Sequence, residues 1–436
     1  MLTKPDDFAD LIEPFSRRGV DLGLDRLCAA LADLGHPERQ FAAVQVAGTN
    51  GKGSISTLVH QALLAAGIKA GLYTSPHLVS WTERIRLGAE SIAPVALRGQ
   101  LEAVRPIALA HELTPFELVT AAAFWAFAEA SLPLVVLEVG LGGRLDATSC
   151  HPDRSVIALA SIGLDHREFL GPDLASIAAE KAGVLQPGCL AISGPQHPEV
   201  QAVLQARAAA VGAELSWVQP LQRNARGELL LPTGADQPAS WGRCGLPGQV
   251  QCSNAAVALG VLQALAARGW SITPAAIRQG FAAARWPGRL QQLNWRGIPL
   301  LLDGAHNPPA AAALRAELDA YPERHGLSPG PRCWLIGMLA NKQGPEILQA
   351  LLAPGDQAWI VPVPGHASWN RDQLVAQQLN PQAPYSVPLV GGVASLHQAD
   401  DLPRALQSLS AAAVADAQRL VVAGSLYLIG TLLAQP

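Results

Sequence analysis

The chain has 436 residues, 49% hydrophobic and 15% charged, which is too apolar and too weakly charged for a disordered chain. At roughly 150 residues per domain this length predicts two or three domains, with enough chain to bury at least one full core. The 35 acidic and 31 basic groups leave a formal charge of −4, so no strong field favours nucleic acid as a partner.

The six cysteines, Cys28, Cys150, Cys189, Cys244, Cys252 and Cys333, form no C-x-x-C pair, and no histidine pair has zinc-finger spacing. Free thiols in a reducing compartment are the expectation. The start, MLTKPDDFADLIEPF, carries four acids and no apolar core of a signal peptide. No run approaches the roughly 18 apolar residues of a membrane span. These features predict a soluble cytoplasmic protein with no membrane partner.

In chain order, residues 21–35 have the apolar spacing of an amphipathic helix. FAAVQVAG at 41–48 predicts a short buried strand, followed by a glycine-rich turn and a helix ending at Gly67. Strands are expected at 68–75, 132–140, 154–163 and 189–194, and helices at 116–130 and 174–185. This alternation predicts an α/β fold with a doubly wound, mostly parallel sheet. Residues 216–253 predict a short antiparallel excursion or a long loop, and 254–269 a helix. A Pro/Gly-punctuated stretch then breaks the pattern. The domain linker is placed at 289–297, between a first domain over 1–288 and a smaller α/β unit over 298–436. Strands of that unit are expected at 300–303, 333–339, 358–363, 385–390 and 419–424, with helices at 310–321 and 403–418.

The sharpest motif is Gly48-Thr49-Asn50-Gly51-Lys52-Gly53-Ser54, between a strand and a helix. Glycines let backbone N–H groups converge on phosphate, and the helix N-terminus adds positive potential. Lys52 reaches terminal phosphates, and Ser54 offers a hydroxyl to phosphate or Mg²⁺. The spacing departs from G-x-x-x-x-G-K-[ST], since Val46 stands at the first glycine position and Gly53 separates Lys52 from Ser54. Ser75-Pro76-His77-Leu78 follows the next strand; alone, it reads equally as a turn. Glu138 lies in an apolar strand and needs a partner, either an arginine or a metal. The glycine-rich loop 140–146 behind it favours the metal, since Mg²⁺ takes hard oxygen ligands. Asp165-His166 also follows a strand, Lys181 lies on a helix, and 303–308 (DGAHNP) follows the first strand of the second unit. Each has an ordinary reading as surface residue, solvated lysine or helix cap. Their joint placement at strand ends points to a ligand site.

At these residues the chain resembles folylpolyglutamate synthase and dihydrofolate synthase, members of the Mur ligase superfamily. The resemblance runs from DLGLDR to the final GSLYLIG. It rests on GTNGKGS, SPHL with ERIR, EVGLGGRLDAT, SIGLDH, EKAG, PGR and DGAHNP in the family's order. It implies a P-loop ATPase-like first domain and a Rossmann-like second domain. It also implies a ligase that joins L-glutamate to dihydropteroate and to reduced folates at the expense of ATP, through an acyl phosphate. By motif, residues 48–54 would hold the ATP phosphates, with further ATP contacts from Asn254, Arg289, Asp303 and His306. Ser75, Glu138 and His166 would serve two Mg²⁺ sites, and Lys181 matches the family lysine that is carboxylated. Lys52, Lys181 and His166 are the implied catalytic residues. Pterin contacts would fall on Leu22, Gly23 and Leu24, on Thr114, Pro115, Phe116 and Glu117, and on Leu145, Asp146 and Ala147. The resemblance implies a monomer.

Three departures stand out. Ser149 replaces an asparagine frequent after DAT, Gln343 replaces an aspartate frequent after the lysine of 340–343, and 364–372 matches the family's second-domain substrate segment only loosely. Alternatives are a synthase with one of the two activities, another Mur-type ligase acting on a peptidoglycan precursor, and a non-enzymatic nucleotide-binding module.

Overall fold

The computed structural model describes residues 8–224, 227–231, 239–327, 329–378, 395–406 and 420–434. The chain divides into two units, one comprising Met1–Gly163 and Arg167–Trp286, the other Leu164–His166 and Pro287–Pro436.

Short continuous apolar runs build the first unit, their alternate residues serving opposite faces. Val44, Val46, Leu134 and Val136 enter one core with helix Lys52–Ala65, while Ala43, Val135 and Leu137 enter another with helix Pro115–Glu129. A strand apolar on both faces needs helices on both faces, which is the doubly wound arrangement. Eight strands lie in the order Glu90–Ser91, Ile85–Leu87, Ala70–Tyr73, Leu134–Glu138, Ala42–Ala47, Val156–Leu159, Leu190–Ser193, Glu214–Trp217. All pairs are parallel except those made by the first two strands, an edge hairpin. Ala42–Ala47 sits centrally, so the loop after it opens at the carboxyl edge of the sheet. The stretch 216–253 contains the expected antiparallel excursion, Gln222–Arg223, Glu228–Leu231 and Ala239–Arg243.

Several elements go beyond the sequence expectation. Helix Pro94–Ala110 contains Gly99 and an internal Pro106, which obscure its pattern, yet it buries Leu97, Leu101, Val104 and Ala108 at helical spacing. Helices Pro198–Val211 and Pro274–Ala283 complete the layers.

The second unit has a six-stranded sheet in the order Gln291–Trp295, Ile298–Leu302, Leu420–Ala423, Cys333–Ile336, Gln357–Ile360, Ser395–Gln398. The segment 289–297 is not a linker. It holds the antiparallel edge strand Gln291–Trp295, paired with Ile298–Leu302 through a two-residue turn at Arg296 and Gly297. Both turn residues have positive φ, 48° and 87°, as a two-residue hairpin of this hand requires. The strand is polar because edge strands have a solvated side. The strand expected at 385–390 lies outside the described residues, as does the expected helix 403–418 beyond residue 406. Among the described residues, no helix is long and apolar enough to cross a membrane.

Candidate functional site

Helix Lys52–Ala65 follows the loop after Ala42–Ala47, and no side chain caps its start. The first N–H groups of such a helix suit an anion. The loop is fixed from behind, since the Thr49 and Asn50 N–H groups donate to the Ser161 carbonyl at 2.8 and 3.1 Å. Gly51 has φ of 102°, and the Asn254 side-chain oxygen fills the space a Cβ would take. Asn254 is itself held by Gln251, to which its amide donates at 2.9 Å. Glycine is therefore required at 51 by conformation and by contact. Lys52 folds back to donate to the Gly48 and Thr49 carbonyls at 3.2 Å each. Lys181, 5% exposed, donates to the same Gly48 carbonyl at 2.9 Å. Two of the chain's five lysines thus meet at one carbonyl, an arrangement suited to a polyphosphate.

Glu138 ends the neighbouring strand in register with Val46. It is buried, and its carboxylate accepts from the Ser75 N–H at 3.4 Å. The Ser75 loop is shaped by the ERIR segment. The Glu83 carboxylate accepts from the N–H groups of Leu78, Val79 and Ser80 at 2.7 to 2.8 Å, and Arg84 donates to His77 Nδ1 at 2.9 Å. Burial, then Arg84, lowers the His77 pKa to about 3, so His77 is neutral and able to accept. Among the described residues, no three His, Cys, Asp or Glu side chains form a metal-holding group. A carboxylate and a serine still fit Mg²⁺, which keeps water and phosphate oxygens among its ligands.

The three segments expected to contact a pterin come together in the first unit. Arg26, just after 22–24, donates to Asp21 at 2.9 Å and to Glu117 at 3.3 Å. Thr114 and Glu117 form a capping box, with the Glu117 carboxylate accepting from the Thr114 N–H at 2.8 Å. Phe116 lies against Gly140, where a Cβ would meet its ring at 2.5 Å. Asp146, 2% exposed, accepts from the Gly140 and Leu141 N–H groups at 2.9 Å and from the Thr148 N–H at 3.0 Å. Burial raises its pKa against these hydrogen bonds. Asp146 thus holds the glycine-rich loop closed, while flanking Leu145 and Ala147 take their positions from it. The same loop packs on the Lys181 helix, since a Cβ on Gly143 would meet the Lys181 carbonyl at 3.0 Å. Ser149, the departure after DAT, donates to the Gly143 carbonyl at 2.7 Å and accepts from Gln45 at 3.0 Å.

In the second unit Asp165 is the hub. Lys342 contacts one carboxylate oxygen at 2.5 Å, and Asn307 donates to the other at 2.9 Å. His306 and His166 lie 3.8 and 3.9 Å from it. Burial opposes the charge, but Lys342, His166 and His306 hold the Asp165 carboxyl well below the ordinary range. His166 has φ of 52° and lies 3.5 Å from the Lys342 ammonium. His306 donates from Nδ1 to the Gly304 carbonyl at 2.7 Å, and burial, then Lys342, lowers its pKa to about 4. Asp303 accepts from the Leu290 and Ala305 N–H groups at 3.0 and 2.9 Å, tying the PGR segment to DGAHNP. Arg289 lies against Gly304, and its charge partly offsets the rise that burial gives the Asp303 pKa. The segments 337–343 and 364–370 also meet, as the Trp369 indole donates to the Lys342 carbonyl at 2.9 Å.

Sequence reasoning missed Lys342 as the partner of Asp165, Arg26 as the clamp on Glu117, and Glu83 as the organiser of 78–80. Two signals mark Lys342, its place in the 340–343 segment that matches the family and the scarcity of lysine in a chain with five.

A family model described as dihydrofolate synthetase, C-terminal domain, matches residues 288–435. The chain is 32% identical to folylpolyglutamate synthase of Lacticaseibacillus casei, over 92% of each chain. It is 34% identical to dihydrofolate synthetase of Saccharomyces cerevisiae, over 95% of this chain and 97% of that one. It is 35% identical to dihydrofolate synthase/folylpolyglutamate synthase of Escherichia coli, over 84% and 83%. Among solved structures, the bifunctional enzyme of Yersinia pestis with AMPPNP and a Mn ion matches with a TM-score of 0.81 at 30% identity, covering 100% of this chain and 99% of that chain.

Proposed function

The chain belongs to the folylpolyglutamate synthase and dihydrofolate synthase family, and from that premise we propose a bifunctional ligase. It is an ATP-dependent enzyme that forms an amide between a pterin-bearing carboxylate and the amine of L-glutamate. Dihydropteroate and reduced folates are its two acceptors, and it works as a monomer in the cytoplasm. Three relatives of similar identity carry one activity, the other and both, so overall similarity does not divide them.

A carboxylate is a poor electrophile, and phosphorylation by ATP converts it to an acyl phosphate with a good leaving group. The glutamate amine attacks the acyl carbon, phosphate departs and the amide remains. The N–H groups of residues 51–54, where the helix begins, bind the β- and γ-phosphates, and Lys52 balances the charge of the phosphoryl group in transfer. Glu138 and Ser75 would hold Mg²⁺, which would supply further charge neutralisation when bound. His166 would serve a second Mg²⁺. Lys181, buried against the Gly48 carbonyl, is carboxylated, which replaces an ammonium by an anion beside the metal sites. Asn254 supports Gly51, and in the second unit Arg289, Asp303 and His306 are assigned to ATP by motif, with Asp303 acting through the backbone it gathers. Leu22, Gly23, Leu24, Phe116, Leu145 and Ala147 contact the pterin.

The observation that carries this reading is that, in one unit, the glycine-rich loop 140–146 packs on Phe116 and on the helix of Lys181, which donates to the phosphate loop at Gly48, while Arg26 ties the 22–24 segment to Glu117. The test is ADP release with Mg²⁺, ATP and L-glutamate, using dihydropteroate, tetrahydrofolate or no acceptor, with product masses read in parallel. Turnover of both acceptors is expected. Turnover of one reduces the function to a single synthase, and turnover of neither by a folded, ATP-binding protein overturns the acceptor assignment. Lys181→Ala should abolish ligation and spare ATP binding, and full activity in it would remove the carbamate.

A further inference from the structure

We propose that Cys28 and Cys150 form a reversible disulfide, a redox modification site that governs access of the acceptor to the first unit. The two residues are 122 positions apart, yet their sulfurs lie 2.9 Å from one another. Cys28 is exposed on helix Asp25–Asp33, four residues after Leu24, the end of the 22–24 segment. Cys150 is half-buried at the end of the short helix Ala147–Cys150, three residues after Ala147, the end of the 145–147 segment. Its sulfur is also 3.7 Å from the Leu24 carbonyl. Packing does not explain a thiol at 28, because the helix buries Leu27, Ala30 and Leu31 instead. An S–S bond is about 2.05 Å long, so closure asks for less than about 1 Å of approach between side chains already in contact.

The two thiols differ in the way thiol–disulfide exchange requires. Cys28 is the more exposed of the pair, so a small oxidant reaches it first, and the contact between the two sulfurs lowers the Cys28 pKa while that contact and burial raise the Cys150 pKa. Cys28 is the attacking thiolate and Cys150 the resolving thiol. The oxidant is a low-molecular-weight disulfide such as glutathione disulfide. Cys28 attacks one of its sulfurs, a mixed disulfide forms and one thiol leaves. Cys150 then gives up its proton, attacks the Cys28 sulfur and expels the second thiol. Two protein thiols lose two electrons and two protons, and one small disulfide becomes two small thiols. In a reducing compartment such a bond is transient, as a regulatory disulfide must be.

The effect on catalysis rests on the reading of 22–24 and 145–147 as acceptor contacts. The cross-link ties the ends of these two walls together, so it should raise the acceptor KM several-fold and leave the ATP KM unchanged. The bond itself does not rest on that reading. Intact protein is treated with glutathione disulfide, then analysed by mass and peptide mapping. The expected product has lost two hydrogens and links the Cys28 and Cys150 peptides. Cys150→Ser should trap a glutathione adduct on Cys28, and Cys28→Ser should form neither adduct nor cross-link there and keep reduced-level activity under oxidant. Absence of the 28–150 cross-link in folded protein overturns the proposal. A mapped cross-link that leaves acceptor KM unchanged, in an enzyme that turns over the acceptor when reduced, overturns the control of access. Failure of the reduced enzyme to use any pterin acceptor strikes the function assigned above, and the cross-link then stands or falls on the mapping alone.

Discussion

The two units place polar groups at the carboxyl ends of parallel strands by different means. In the first unit the main chain does most of the binding: glycines open the loop 48–54, and Asp146 and Glu83 spend their carboxylates on N–H groups of their own loops. In the second, side chains distant in sequence converge, with Lys342, Asn307, His306 and His166 around Asp165. A main-chain site tolerates changes of charge at its rim and fails when a Cβ is added. A side-chain site fails when one charge is removed, because its partner is left buried and unpaired.

This contrast is open to direct attack. The largest effect is expected for Lys52→Ala, which should lower kcat about 10²–10³-fold, the usual loss for one preorganised charge-stabilising donor, with little change in Tm. Asp165→Asn should act on stability instead, costing about 3 kcal/mol by denaturant unfolding, since it strands Lys342 in a buried site. Adding Lys342→Met should recover much of that loss; a double variant no better than the single would show that Asp165 is not held by charge.

Acid should weaken both units, the first more, since it holds more of the histidines whose pKa is lowered. His60 and His151 in the first unit and His306 in the second all have pKa values lowered to about 4, chiefly by burial. Below about 6.5 the unfolded chain binds protons that the folded chain refuses until about pH 4. Stability present above pH 6.5 is therefore lost between 6.5 and 4, on the order of 3 kcal/mol for each histidine. The lowered Asp165 carboxyl adds a further loss only below about pH 4. Thermal unfolding against pH should show these two stages, and His60→Gln should flatten the first. Gly51→Ala should cost about 1–3 kcal/mol from left-handed backbone strain, and because its Cβ also displaces the Asn254 side-chain oxygen it should disable the loop itself, read as a strongly raised ATP KM.

The same division decides what could be read in advance. The strands at 42–47 and 134–138 declare themselves as short, nearly continuous apolar runs, and GTNGKGS declares its loop because main-chain sites need glycine at fixed spacing. The pairings of Asp165 with Lys342 and of Cys28 with Cys150 carry no local signal, because each joins segments more than a hundred residues apart. Gln291–Trp295 was misread for a different reason. Polar edge strands alternate weakly, and the Arg296-Gly297 turn that closes the hairpin looks like ordinary linker punctuation. Helix Pro94–Ala110 was hidden by its own proline and glycine, although its buried spacing is regular.

The indole of Trp286 lies where a Cβ on Gly53 would stand, 2.6 Å from that position at its nearest atom. Indole emission shifts with the polarity and charge of its immediate surroundings, so the phosphate loop comes with an optical reporter built into its wall. The other nine tryptophans of the chain contribute a background that a Trp286→Phe variant isolates by subtraction. Nucleotide arrival at residues 48–54 then becomes visible as a change in the protein's own fluorescence, without label or coupled enzyme, and separately from any turnover of acceptor.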